Sequence, residues 1–241
     1  MQVTEYITNK INRFRSGYVF TYDDLDISVD MRWAVTKALS RLVQKNKIRK
    51  LSKGRFYKVQ FTDFGNLQPE IFQVVKDLLE KDDKIIGYLT GYSVYNQLGL
   101  TTQISSTLQI GTNEVKKNII RGMYRIRFIK QQNIITKENI PLLRVLDSIR
   151  YINDIPDTTV DKACTQIMLI IEKYTDKELR TFIKLALKYN PVTRALAGAI
   201  VDKVFGTGKA ELLIKSLNPS TSYNIGISES ALPVKQKWNI I

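Results

Sequence analysis

Asp24 and Asp26 stand one residue apart and are the carboxylates of this chain that come nearest to a catalytic pair. An Asp-x-Asp spacing can hold a divalent ion for nucleotidyl transfer, with the metal supplying charge and the protein supplying position. No Gly-Ser pair precedes it to hold a phosphate, and the two residues fall where a short helix is expected, so capping and solvation account for them better. Gly206-Thr207-Gly208-Lys209-Ala210 contains the Gly-Lys of a phosphate-binding loop. That loop also needs a glycine five residues before the Gly-Lys pair and a Ser or Thr after it, and here those positions are Lys203 and Ala210. The segment reads as a turn between helices. Cys164 is the only cysteine, lies in an apolar helical run without a basic neighbour to activate it, and reads as core. The chain has no histidine, which excludes histidine general bases, and one cysteine excludes zinc clusters and internal disulfides. The residues show no assembled catalytic equipment beyond the Asp24 and Asp26 spacing, no metal or cofactor is expected, and a reducing cytoplasm fits.

The residues that do converge on one chemistry are basic, and that chemistry is phosphate recognition. Lys plus Arg number 37 against 23 Asp plus Glu, a formal net charge of +14, so the chain is drawn to polyanions before any local recognition. Residues 1–60 carry 13 basic and 5 acidic side chains, whereas residues 61–150 and 151–241 each carry 12 and 9. The asymmetry points to a basic N-terminal module on a more neutral body. Within it, Arg32, Trp33, Thr36, Lys37, Ser40, Arg41, Gln44 and Lys45 lie opposite or beside an apolar stripe of Ala34, Val35, Ala38, Leu39, Leu42 and Val43. Arg and Lys read guanine O6 and N7, and Thr and Ser contact bases or phosphate. Lys50, Lys53, Arg55 and Lys58 follow on two β-patterned runs and suit phosphate, which orients a protein on DNA without reading sequence.

These groups need particular elements to present them. Val3, Ile7, Ile11 and Phe14 predict a first helix, which Gly17 stops. Tyr18 to Thr21 is β-forming, Tyr22 to Asp26 is a short second helix, and Asp30 is expected to cap the basic helix. Ile48–Leu51 and Arg55–Val59, joined through Ser52-Lys53-Gly54, predict a hairpin. Helix, short helix, basic helix and basic hairpin, in that order, make a winged helix-turn-helix, whose last helix enters the major groove while the wing touches backbone.

A turn-rich junction at residues 62–69 divides the chain into residues 1–64, which bind DNA, and residues 65–241. The second part is expected to have helices at about Pro69–Lys81 and Gly91–Leu98, and strands at Thr107–Gly111 and Tyr124–Ile129. Apolar periodicity at 140–151, 159–173, 176–189, 191–205 and 209–217 predicts an α-rich ending. The fold class is therefore α+β, mostly helical, with a small sheet in the larger domain. Arg125 and Arg127 share one side of a strand and, with Arg121 and Lys130, form either a second polyanion patch or the wet face of a half-exposed strand. The longest apolar stretch, Ile167–Ile171, is too short to cross a bilayer, and the charged start has no apolar export segment. No membrane association is expected.

The runs Ala38-Leu39-Ser40-Arg41-Leu42, Ile48-Arg49-Lys50-Leu51 and Lys53-Gly54-Arg55-Phe56-Tyr57 resemble the N-terminal winged helix of the AbiEi-like type IV antitoxins. The segment from Gly87 to Gln103, ending Leu98-Gly99-Leu100-Thr101-Thr102-Gln103, is similar to the start of their second domain. A weaker likeness reaches Leu217-Asn218-Pro219 and Lys237-Trp238-Asn239. Asn46 departs from the pattern, standing where such sequences turn with glycine, although Asn tolerates left-handed geometry. The resemblance implies an antitoxin of a phage-defence toxin-antitoxin system that binds double-stranded operator DNA and represses its own operon. Its functional partner would be a nucleotidyltransferase-like toxin, opposed directly or through a shared target. Thr101, Thr102 and Gln103, with Arg121, Arg125 and Arg127, are then candidates for the antitoxin surface; for Thr101 to Gln103 a glycine turn followed by a capping threonine is the competing account. The other functional reading is a winged-helix regulator whose second domain binds a ligand or a protein and opposes no toxin.

Overall fold

The computed structural model describes residues 3–63 and 65–241, an α+β chain with several small sheets. It divides into two compact units. The first comprises Met1–Asp77 and Ile119–Tyr124, and the second Leu78–Asn118 and Arg125–Ile241. The boundary expected at 64/65 has Phe64 outside the described residues, and the division falls one helix later. Residues 62–69, expected as a linker, contribute instead to a short antiparallel pair, β4 (Gln60–Thr62) with β5 (Gly65–Leu67), whose turn is closed by Thr62 Oγ1 donating to Gly65 O at 2.8 Å.

In the first unit, α1 (Val3–Arg13) buries Ile7 and Ile11, and Gly17, at φ 75°, turns the chain into β1 (Val19–Phe20). Single 3-10 turns at Asp23–Leu25 and Val29–Met31 stand where one short helix is expected. The basic helix α2 (Arg32–Gln44) follows, with Val35, Ala38, Leu39 and Leu42 buried. Asp30 does not cap it: the 3-10 turn runs directly into α2, and Met31, its last residue, holds the cap position without a side-chain bond. At the other end Asn46 adopts φ 54°, Asn46 N donates to Val43 O and Lys47 N to Leu42 O, both at 3.0 Å. That pair of bonds is a Schellman closure, so asparagine performs the turn that glycine usually makes.

The chain then forms β2 (Ile48–Ser52) and β3 (Arg55–Lys58), antiparallel, with Ser52 opposite Arg55 across a turn in which Gly54 has φ 72°. β3 also pairs with β1, giving the order β1-β3-β2. Phe20, Leu25, Ile48 and Phe56 meet the buried stripes of α1 and α2 in one core. α3 (Ile71–Leu79) carries Asp77, the last residue of this stretch of the unit.

The second unit opens with the pair β6 (Glu80–Lys81) and β7 (Lys84–Ile85). β8 (Tyr88–Thr90) runs antiparallel to β9 (Thr107–Thr112). After β10 (Ile119–Arg121), grouped with the first unit, β11 (Tyr124–Lys130) lies parallel to β9, with Arg125 opposite Thr107 and Arg127 opposite Gln109. The helix expected at Gly91–Leu98 is absent; a 3-10 turn at Gly91–Ser93 leads into further turns. The side chain of Gln109 accepts from Tyr92 N at 2.8 Å, and Gln109 N donates to Ser93 Oγ at 2.8 Å, so the 3-10 turn is tied to the neighbouring strand. α4 (Asn139–Arg150), α5 (Val160–Ile171), α6 (Asp176–Ala186), α7 (Pro191–Phe205) and α8 (Glu211–Lys215) follow the predicted periods. Thr175 and Glu178 form a capping box for α6, and Asn190 caps α7 ahead of a proline at its first position. Trp238 is buried against Gly198 of α7, where a Cβ would come within 2.1 Å of the indole, so only glycine allows the contact.

A polar group is buried in the core of the second unit. Asp147 on α4 accepts from Tyr88 OH (2.7 Å), Thr90 Oγ1 (2.7 Å) and Tyr189 OH (2.8 Å). Gln131 donates to both tyrosine oxygens at 2.9 Å, which directs the phenol protons toward Asp147. Burial pushes the Asp147 carboxyl above its usual range, and the three hydroxyl donors oppose that push.

Candidate nucleic-acid interface

α2 has no acidic residue, and its 13 residues span about 20 Å at the helical rise. Arg32, Trp33, Thr36, Lys37, Ser40, Arg41, Gln44 and Lys45 are all exposed, as the opposite stripe requires. Trp33 is 70% exposed and lies under the Lys37 ammonium, with Nζ 3.7 Å from the ring centroid. Arg32 stands over Tyr22 at 5.6 Å, and Thr36 Oγ1 donates to Arg32 O at 2.8 Å. The ring contacts orient two long cations without neutralising them. None of Arg32, Lys37, Arg41, Lys45, Lys50 or Lys53 is in an ion pair among the described residues.

The helix face and the hairpin turn edge one concavity. Arg32, Trp33 and Thr36 line it from α2, Lys53 and Gly54 from the turn and Tyr22 from the segment before, around a volume of about 690 Å³. Lys50 is also exposed. The other two hairpin cations, Arg55 and Lys58, are half-buried and have partners inside the unit. Lys58 donates to Asn12 O and Phe14 O, each at 2.8 Å, closing the carbonyl end of α1. Arg55 donates to Asp77 at 2.7 Å.

Asp77 is shared. Arg121 reaches both of its oxygens, at 2.5 and 2.8 Å, and donates to Val74 O at 2.7 Å. Burial pushes the Asp77 carboxyl up, but the bonds and charge of Arg121, then of Arg55, outweigh it and hold the group below the usual carboxylate range. Arg121 is 3% exposed, so it is a structural cation and no part of an outer surface, which corrects its place in the second candidate set.

The rest of that set lies in the second unit. Arg125 and Arg127 are exposed on one face of β11, beside Thr107 and Gln109 of β9. Thr102 and Gln103 are exposed, Thr101 half-buried. Gly99 turns at φ 69°, Thr101 Oγ1 accepts from Gln103 N (3.2 Å) and Thr102 Oγ1 donates to Asp157 (3.0 Å), so the stretch is a tied turn on this unit.

The groups weighed first as chemistry have local partners. Asp24 accepts from Thr21 N (2.7 Å), Thr21 Oγ1 (3.0 Å) and Tyr18 OH (3.1 Å), while Asp26 pairs with Lys10. The two carboxylates therefore have separate partners, and no group of three or more His, Cys, Asp or Glu stands ready for a metal among the described residues. Gly206 to Ala210 is the turn between α7 and α8. Cys164 is fully buried, which pushes its thiol up to about 12.

A family model matches residues 6–179. The chain belongs to DUF6088, a family of unknown function. Family membership thus covers the basic helix, the hairpin and the sheet of the second unit without attaching an activity to them. The chain is also similar in structure to the RV2827C protein from Mycobacterium tuberculosis, at 13% identity and a TM-score of 0.49, over 90% of this chain and 81% of that one. No curated protein matches it in sequence. No helix among the described residues is long and apolar enough to cross a membrane.

Proposed function

We propose that the first unit is a winged helix-turn-helix that binds duplex DNA, with α2 in the major groove and the β2-β3 hairpin as the wing. The observation that carries this reading is the shared concavity of α2 and the Lys53-Gly54 turn, edged by cations that have no carboxylate partner among the described residues. A helix of this diameter fits a major groove about 12 Å wide, and a hairpin at its side meets the adjacent phosphates. Arg32, Lys37 and Arg41 are assigned to base edges or nearby phosphates, Thr36, Ser40 and Gln44 to bases, and Lys45, Lys50 and Lys53 to phosphates. Arg55 and Lys58 hold the unit together.

The biological role proposed is that of an antitoxin that represses its own operon. That part rests on the sequence resemblance to AbiEi-like antitoxins alone, whereas the DNA-binding part rests on the geometry. The two separate experimentally. Titration of labelled duplexes from upstream of the chain's own gene, beside random duplexes, tests the first. Lys37→Ala or Arg41→Ala should cost about 1–3 kcal/mol at preferred sites, and Lys53→Ala should weaken all duplexes and lower the salt slope by about one. Equal losses on preferred and random DNA would refute base reading by α2, and unchanged binding in a triple variant at these positions would sink the interface. Co-expression with each neighbouring gene tests the second. If no neighbour is toxic alone, the antitoxin role fails and the regulator reading remains.

A further inference from the structure

The second unit contains a cleft of about 540 Å³ in which four element ends each deliver a cation. Lys130 is the last residue of β11, Arg150 the last of α4, Lys188 lies in the link from α6 to α7, and Arg194 is in the first turn of α7. Tyr189 and Asn190 complete the part that matters here, and no carboxylate lines the cleft. None of the four cations is in an ion pair among the described residues. Four like charges around one concavity repel one another, and a low-dielectric wall focuses their field into it.

Two further observations point to an occupant. Arg194 Nε is buried without a hydrogen-bond partner among the described residues, leaving a donor of a permanently charged group unsatisfied. Lys188 and Arg194 also flank the N-terminus of a 15-residue helix, the positive end of its dipole, where cations are disfavoured and an anion is favoured. An anion in the cleft would answer the repulsion and the dipole together.

We propose that this cleft binds a small ligand bearing two adjacent phosphate groups. The volume lies within the range of small-molecule sites, about 300–1,000 Å³, and two linked phosphates match four cations better than one does. Arg194 and Arg150 present planar guanidinium forks suited to phosphate oxygens, and Lys130 and Lys188 act as point charges at the rim. The cleft shares no residue with the proposed duplex-binding face, so this inference does not depend on that reading.

Calorimetric titration of the full chain with pyrophosphate, with ATP and with sulfate tests it, with a short single-stranded oligonucleotide as a further arm. Pyrophosphate and ATP should bind and sulfate should bind far more weakly. Arg194→Gln should weaken pyrophosphate about tenfold or more, the loss of one charge-assisted contact. Lys188→Gln, at an exposed position, should weaken it less and serves if the Arg194 variant does not fold. Lys37→Ala on α2 should leave it unchanged. Absence of pyrophosphate binding, affinity unaltered in both cleft variants, or affinity that follows Lys37 would overturn the proposal. So would oligonucleotide binding that depends on Arg194 while pyrophosphate does not bind.

Discussion

α2 and α4 are helices of 13 and 12 residues, each with an apolar stripe, yet they treat their polar residues oppositely. Every polar side chain of α2 from Arg32 to Gln44 is exposed, whereas α4 carries Asp147 and Ser148 wholly inside. On α2 the apolar stripe determines both faces, because the side opposite the core is left to solvent. On α4 the stripe determines only the depth of burial, and Asp147 is tolerable there because hydroxyls from β8 and from the link before α7 reach it. An amphipathic pattern therefore tells which residues are buried, and partner geometry tells whether a polar one among them is supported.

The largest test of that contrast is removal of the buried acceptor. Asp147→Leu leaves three hydroxyl donors without a partner, each costing about 1–3 kcal/mol, so urea unfolding should show a loss of about 3 kcal/mol or more. Asp147→Asn keeps one acceptor oxygen and should lose roughly half of that. The proton distinguishes the two variants further. Because burial raises the Asp147 carboxyl in the folded state, its contribution is full below the unfolded value near about pH 4 and is lost as pH rises through the folded value. Other carboxylates, Asp77 among them, titrate with the opposite sign, so the decline should appear in the difference between the parent and Asp147→Asn unfolding profiles from acid to neutral pH. A loss under about 1 kcal/mol for Asp147→Leu would mean that the network contributes little.

In the first unit the corresponding polar centre behaves with the opposite sign. Asp77 is held low by Arg121 and Arg55, so its contribution is full above the unfolded value near about pH 4 and is lost as pH falls through the folded one. Arg121→Met keeps the buried stem but removes the bonds to both Asp77 oxygens and to Val74 O. A loss of roughly 2 kcal/mol at neutral pH is expected, less than for a fully buried pair because Asp77 is over one third exposed and screened. The loss should shrink in acid. A loss that stays constant from neutral to acid pH would assign the effect to packing instead of charge.

What the residues disclosed follows the same division. The α2 face, the β2-β3 hairpin and helices α4 to α8 were legible, because each depends on residues close together in sequence. Asp147 was not, since its partners lie 42 to 59 residues away and its helix reads as amphipathic without them. Arg150, Lys188 and Arg194 were equally hidden, each being an ordinary cation at the end of a different element. Lys58 and Arg55 looked like phosphate ligands because the charge of a side chain is visible in sequence, and the carbonyls of α1 or the carboxylate of Asp77 that engage it are not. Gly91 to Leu98 misled for a related reason: the bonds of Gln109 to Tyr92 and Ser93 come from a strand 16 or 17 residues on.

The smallest effect sharpens the comparison on the side of α2. With its polar face turned outward, this helix depends at its C-terminus on backbone closure, through Asn46 at φ 54° and the bonds of Asn46 and Lys47 to Val43 and Leu42. An L-residue with a Cβ pays about 1–2 kcal/mol in that region, and asparagine is among the residues least penalised. Asn46→Ala should therefore lose roughly 1 kcal/mol in urea unfolding, while Asn46→Gly should stay within a few tenths of the parent or exceed it, because relief of the backbone opposes the greater freedom of glycine in the unfolded chain. Neither substitution touches Arg32, Lys37 or Arg41. If Asn46→Ala proved neutral, the α2–β2 turn would have to be held by the packing of Leu42 and Ile48, and the stability of this helix would rest on its core in the same way as that of α4.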